Sequence, residues 1–344
     1  MKTGVPDILV CTRFGLRIKE RAWFIHRMAL ISSITAPSLM AQQDQSFRWA
    51  ILVDDQLPSD IREDLEELLQ PFGDRAFLDQ RPFHTPESLV ELARDRRLSD
   101  KSPYLVTARI DDDDAWSTMM VGAVRQRVAK WLEQPSRAPG LSLTFQDGLE
   151  WVMYEMLDVE KLHDHGERFV HLPAIRRYCL PFHSMSVFVC SLFSDEATAM
   201  SGAHSRVAEK LGATKGFATE VIPTDSPMWL YCRHKQAGSG IKKATGDEIP
   251  VNLPNLAGQF GLDQQRLQSY LDQVDDHQYA LVKSPIARKR KLLVDLVHVN
   301  QKIEDSAASD PQLSELHRQR AELTAEVTRL EVDVLGVPQP GSDR

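Results

Sequence analysis

Three apolar runs in the first 115 residues end in the same way, and this pattern restricts the fold more than any other feature of the chain. Ile8-Leu9-Val10-Cys11 leads into Thr12-Arg13-Phe14, and the run from Phe47 to Val53 leads into Asp54-Asp55. Tyr104 to Ile110 leads into Asp111-Asp112-Asp113-Asp114. Short apolar runs bounded by polar residues read as buried strands. Between them lie stretches of helical periodicity. Trp23 to Met40 is one, interrupted by Pro37; a second opens at Pro58 with Ile61, Leu65, Leu68 and Leu69 on one face; a third covers Pro86 to Leu98. A fourth is expected from about Ala115 to Glu133. Strands alternating with helices predict an α/β fold with a mainly parallel sheet covered by helices. Ligands of such sheets bind beyond the carboxyl ends of the strands, so the three polar strand ends should converge on one crevice.

The chain is long enough for a large domain with an appendage. Its 344 residues, 42% hydrophobic and 26% charged, exclude a disordered, collagen-like or disulfide-scaffold protein and allow a sizeable core. A net charge of −8 leaves no basic footprint, so nucleic acid is not an expected partner. Cys11, Cys179, Cys190 and Cys232 show no paired spacing and read as reduced, mostly buried thiols. No apolar run reaches the ~18–20 residues that span a bilayer. Lys2, Asp7 and Arg13 precede any long apolar run, so no signal peptide is expected and a cytoplasmic location follows.

The middle of the chain offers strand-like pieces at Leu141–Phe145, Phe169–Leu172, Met185–Leu192 and Met228–Cys232. Gln236 to Leu256, rich in Gly, Lys and Pro, reads as a surface loop or flap. From Pro285 to Leu335 the chain is helix-forming except at Asp305–Pro311. Leu316, Leu323 and Leu330 are seven apart with Val327 and Val334 interleaved, although Arg320 fills one apolar slot. Leu293, Leu296, Val299 and Ile303 precede the turn. The expected result is a helical hairpin that packs on itself, on the main domain or on a second copy as a homodimer. The expected division is 1–283, then the hairpin at 284–335, then a tail at 336–344.

The acidic run carries the chemistry. Along a strand Asp111 and Asp113 would share one face, and Asp112 and Asp114 the other. Adjacent carboxylates repel, and a divalent cation relieves that repulsion; Mg²⁺ or Mn²⁺ prefers a few carboxylates plus phosphate oxygens. The run equally suits a solvated loop opening the next helix, where Asp complements the helix dipole.

Three stretches resemble the rhamnosyltransferase family of bacterial glycosyltransferases, which have the GT-A fold. They are Thr12-Arg13-Phe14 with Trp23, His26, Arg27, Pro37-Ser38 and Gln42-Gln43; Trp49 through Asp54-Asp55 to Pro58; and Thr107-Ala108-Arg109-Ile110-Asp111-Asp112-Asp113-Asp114-Ala115. The last is similar to the family's T-R-[LI]-D-x-D-D-A signature, with an Ala inserted. Met228-Trp229-Leu230 with His234 resembles a later segment, after which Lys235-Gln236-Ala237-Gly238 departs from the family's pattern. The resemblance implies transfer of a sugar from a dTDP-, UDP- or GDP-sugar to a glycan or lipid-linked acceptor. It implies a Mn²⁺ or Mg²⁺ held by Asp113 and Asp111, with His234 completing the shell. Thr12 and Arg13 would meet the nucleotide base, and Asp54 or Asp55 the base or ribose. Asp112 or Asp114 would face the sugar or cap the next helix. Arg109 would meet a phosphate or one of the aspartates. Lys242 and Lys243 would close over the diphosphate.

An inverting reaction needs a general base, for which Asp147, Glu150 and Glu196 are the candidates. Arg288-Lys289-Arg290-Lys291 reads as a solvated helix face or as a contact with anionic lipid at the inner membrane face. The rival reading is a non-catalytic assembly protein with a degenerate nucleotide fold that acts through its hairpin.

Overall fold

The computed structural model describes residues 4, 6–16, 18–81, 85–100, 102–152, 174–179, 186–194, 197–200, 204–234, 248–250, 252–282, 288–289, 292–293, 295–296, 299–300, 302–303 and 312–330. Two compact units are present: Met1–Leu16 with Arg27–Asp272, and Arg17–His26 with Gln273–Arg344. The second joins two stretches distant in sequence.

The first unit begins with β1 (Ile8–Arg13), followed by α1 (Arg21–Leu30, shared with the second unit), α2 (Ala36–Met40) and β2 (Phe47–Leu52). Next come α3 (Ser59–Leu69), β3 (Ala76–Asp79), α4 (Pro86–Asp95), β4 (Tyr104–Arg109), β5 (Ala115–Trp116) and α5 (Met120–Leu132). The β-rich half follows with β6 (Gly140–Phe145), β7 (Asp147–Val152), β8 (Ala174–Cys179), β9 (Val187–Leu192), α6 (His204–Lys215), β10 (Ala218–Ile222), β11 (Trp229–Arg233) and β12 (Glu248–Pro250). Helices α7 (Leu253–Phe260) and α8 (Gln264–Val282) come last.

Among the described residues, one sheet has the order β10-β6-β9-β4-β1-β2-β3. All its pairings are parallel except those of β9, which runs against both β4 and β6. A second sheet, β12-β8-β7-β11-β5, is antiparallel apart from the β7–β11 pair. The expected α/β architecture, a mainly parallel sheet with helices packed on it, is the one observed. Its core lies on the large sheet. Leu9, Cys11, Ala50, Leu52 and Leu105 pack with Leu89, Val90, Leu92 and Ala93 of α4, while Val187 and Val189 pack with Val207 and Leu211 of α6.

Several local expectations change. The expected helix from Trp23 to Met40 does not break at Pro37 but loosens before it. Ile31–Thr35 forms a π-type turn, closed by the Ala36 amide on the Ile31 carbonyl. Pro37 has no N–H to continue the ladder, so it sits in the first turn of α2, where none is needed. The expected helix from Ala115 starts only at Met120, because Ala115 and Trp116 pair with β11. Residues 236–247 lie outside the described residues, while β12 and α7 occupy the end of the stretch read as a loop. Residues 169–172 also lie outside them. Cys179 is exposed, unlike the other three cysteines.

In the second unit, α9 (Leu313–Arg329) buries Leu316 and Val327, and Leu330 just beyond its end is buried too. Arg320 points to solvent, and Leu323 is half-buried. Val299 is buried, and Arg288 forms an ion pair with Glu326. Residues 305–311, Arg290 and Lys291 lie outside the described residues. No helix among the described residues is long and apolar enough to cross a membrane.

Gly148 shows how tightly the second sheet is packed. A Cβ there would lie 2.1 Å from the indole of Trp229. That ring is fully buried, stacks edge-on to Tyr178 at 5.8 Å and donates its N–H to the Phe145 carbonyl at 2.9 Å. Gly148→Ala should therefore cost about 1–3 kcal/mol, as overpacking does. A thermal melt should show a midpoint several degrees lower; an unchanged midpoint would mean that the ring has room to move.

Candidate active site

The site forms where β1 and β4 end. These strands are neighbours, with Cys11 beside Arg109, and the Ile110 amide still bonds to the Cys11 carbonyl at 3.1 Å. The chain then leaves the sheet in a turn, closed by the Asp114 amide on the Asp111 carbonyl at 3.3 Å. Because residues 111–114 form a turn, strand alternation does not apply to them. Asp111 is half-buried, whereas Asp112, Asp113 and Asp114 are buried.

Arg27 makes that burial tolerable. Its Nε donates to Asp112 Oδ2 at 2.8 Å, its Nη2 to Asp112 Oδ1, and its Nη1 to Asp113 Oδ2 at 2.9 Å. His234, just past β11, places Nε2 2.7 Å from the same Asp113 oxygen and 2.9 Å from Arg27 Nη1. A proton on Nε2 serves Asp113, and without one that nitrogen accepts from Arg27. Burial alone would raise Asp113, but the charge of Arg27 and the hydrogen bond from His234 hold it below the ordinary carboxylate range. Burial pushes Asp112 up to about 6 against the pull of Arg27. Asp114 lies deepest. Its Oδ1 accepts from the Cys232 amide at 2.9 Å and its Oδ2 has no partner among the described residues, and burial beside the other carboxylates raises it well above the usual range. Thr35, in the π-type turn, supports the turn from behind by donating to the Asp111 carbonyl at 3.3 Å.

The half-buried end of the turn meets basic groups. Arg109, itself buried, places Nε 3.3 Å from Asp111 Oδ1. Arg13, at the end of β1, keeps part of its surface in solvent; the partial burial of its guanidinium lowers it first and the charge of Arg109 next, while Asp111 and Asp112 pull it back. Arg13, Arg109 and Asp111 are thus brought together. Thr12 is fully buried, and its hydroxyl accepts from Trp49 Nε1 at 2.9 Å. Asp54 Oδ1 accepts from the Gln56 amide at 3.0 Å and so shapes the turn after β2; Asp55 is exposed.

A family described as "Putative rhamnosyl transferase" matches residues 17–244, about two thirds of the chain. The chain belongs to that family. No curated protein matches it. Solved structures loosely similar to the chain include the following two. One is a "putative nucleotide-diphospho-sugar transferase" from Desulfovibrio desulfuricans G20, 8% identical with a TM-score of 0.34, over 78% of this chain and 98% of the other. The second is the mannosyltransferase PcManGT from Pyrobaculum calidifontis, in complex with GDP-Man and Mn²⁺. It is 10% identical with a TM-score of 0.35, over 96% of this chain and 89% of the other. Likenesses this loose add no weight; the fold rests on the strand order above.

For this rhamnosyltransferase-family chain the general-base candidates are placed as follows. Asp147 and Glu150 lie on β7. Asp147 accepts from the Thr224 amide at 2.7 Å and from the Cys179 thiol at 3.1 Å. Glu150 is buried 2.5 Å from Arg233, and burial raises it despite that cation. Glu150 is beside Tyr231 in register, so it shares a sheet face with Tyr231 and Arg233. His234 and the Cys232 thiol sense the acidic turn from the opposite face. The structure therefore does not bring Glu150 to the turn. Glu196, Lys242 and Lys243 lie outside the described residues.

Arg27 is the residue whose role sequence reasoning missed. Its signal was available: a cation within the helical run Arg21–Leu30, between Phe24 and Leu30 at helical spacing. The expected cation set does not fit as it stands. Of Asp111, Asp113 and His234, Asp113 Oδ2 already accepts from Arg27 and lies 2.7 Å from His234 Nε2, while Asp111 lies against Arg109; the neighbouring Asp112 is likewise taken by Arg27 at both oxygens. Among the described residues, no three His, Cys, Asp or Glu are arranged to hold a metal ion. Arg27→Ala would strand two buried carboxylates, and a broken buried pair costs about 3–5 kcal/mol. Chemical denaturation should show a loss of that size, and a loss below about 1 kcal/mol would mean that water already serves the cluster.

Proposed function

We propose that this chain transfers a sugar, rhamnose being the one its family name carries, from a nucleoside diphosphate donor to a glycan or lipid-linked acceptor. The observation that carries the reading is the meeting of Arg13, Arg109 and Asp111 at the carboxyl ends of β1 and β4. Open parallel sheets receive ligands at that edge. Two guanidinium groups there suit a diphosphate, whose oxygens take charge-assisted bonds from arginine. Asp111 is the one half-buried carboxylate of the turn and is suited to a ribose or sugar hydroxyl. Asp54 and Asp55, at the end of the neighbouring strand β2, would meet the nucleoside.

As the sugar leaves, negative charge accumulates on the departing diphosphate. Arg13 and Arg109 would donate to that charge, and donors already in place contribute most where charge develops. Asp112, Asp113 and Asp114, which Arg27 and the Cys232 amide hold in place, set the shape of the turn behind them.

Thermal unfolding with dTDP, UDP and GDP tests the reading without an acceptor. One of them at about 100 times its dissociation constant should add about 2.7 kcal/mol, a shift of a few degrees. Arg13→Ala, at an exposed position, should fold normally and weaken that nucleotide by roughly 10- to 100-fold, the worth of a charged hydrogen bond. If no nucleotide shifts the wild-type midpoint, the transferase reading fails and the non-catalytic one replaces it.

A further inference from the structure

We propose that Arg27 is the resident cation of the acidic turn, taking between Asp112 and Asp113 the place that a divalent ion would need. This rests on the transferase reading above and specifies how its donor site is charged. A cation bridging Asp112 and Asp113, with His234 as a further ligand, would draw on the two Asp112 oxygens, Asp113 Oδ2 and His234 Nε2. The Arg27 guanidinium contacts all four of these atoms. Its planar fork takes Asp112 in two bonds and reaches Asp113 with a third, a geometry that a point charge does not require. Arg27 is only 7% exposed, so leaving this position would strand both carboxylates away from water.

Two consequences follow. Arg27 is a positioning residue, fixing the turn through Asp112 and Asp113 without itself reaching the open edge. The counter-charge for the donor's diphosphate then comes from Arg13 and Arg109, so nucleotide binding should survive removal of divalent ions. Removing Arg27 should also do what loss of a purely structural residue would not, and create a metal site.

The test is a Mn²⁺ titration of the full-length protein, followed by the electron paramagnetic resonance signal of free Mn²⁺. Wild type should leave that signal undiminished. Arg27→Met should take up one Mn²⁺ per chain, and adding Asp113→Asn should abolish the uptake. If Arg27→Met does not fold, Arg27→Met/Asp112→Asn removes one charge of each sign and keeps Asp113 and His234 for the ion. Mn²⁺ bound by the wild type and lost in Asp113→Asn overturns the proposal. So does a folded Arg27 variant that takes up none. A parallel nucleotide titration in EDTA separates the two readings. Binding that appears only with added Mn²⁺ sinks the resident-cation proposal, whereas no binding with or without Mn²⁺ sinks the transferase reading and leaves the metal titration to be judged alone.

Discussion

Three consecutive carboxylates can leave water at the end of a strand only if something inside the protein answers their charge. Each unanswered ion would cost several kcal/mol. Arg27 answers two of them through a guanidinium fork, and Asp114 follows a different route, held by a backbone amide in surroundings that favour its protonated form. The rest of the site depends on that settlement. With the turn folded inward, Asp111 alone stays at the mouth, where Arg13 and Arg109 meet it.

The two sheets serve this arrangement in different ways. The parallel strands β1, β2 and β4 deliver their carboxyl ends to one edge, and β9 runs the other way beside β4. The second sheet closes on the turn from the side. Its β5 begins immediately after Asp114, and β11 supplies both the Cys232 amide and, one residue past its end, His234. Trp229 anchors that strand against Gly148 and the Phe145 carbonyl, so the imidazole is aimed by a packed strand and not by a loose loop.

Much of this was legible in the chain. Apolar runs ending in Thr12-Arg13, Asp54-Asp55 and the four aspartates marked β1, β2 and β4, because a buried parallel strand needs an uninterrupted apolar stretch and its polar end must find water or a ligand. The family resemblance linked His234 to the acidic run, and the imidazole lies against Asp113. What could not be read was orientation. Strand alternation fails for residues 111–114 because the backbone turns there, and no local pattern announces the turn. Edge strand β3 and the strand β7 that carries Asp147 and Glu150 were missed: β3 is short, and β7 mixes charged and apolar residues in a way that only its neighbours explain. The partner of the acidic run lies 85 residues away, and separation of that kind hides an ion pair from any local reading.

The π-type turn between α1 and α2 acts as a phase adjuster. Each residue of an α-helix rotates the next by about 100°, so one residue accommodated between Leu30 and Ala36 swings everything before it by more than a quarter turn relative to everything after. After it, α2 is geared to one set of teeth: Ser38 receives the Trp116 amide, and Gln42, just past the helix, clasps the Ser117 carbonyl and the Val121 amide. Before it, Arg27 is geared to another, the carboxylates of Asp112 and Asp113. A chain one residue shorter in Ile31–Thr35 could keep every side chain in this account and still mesh with only one of the two sets.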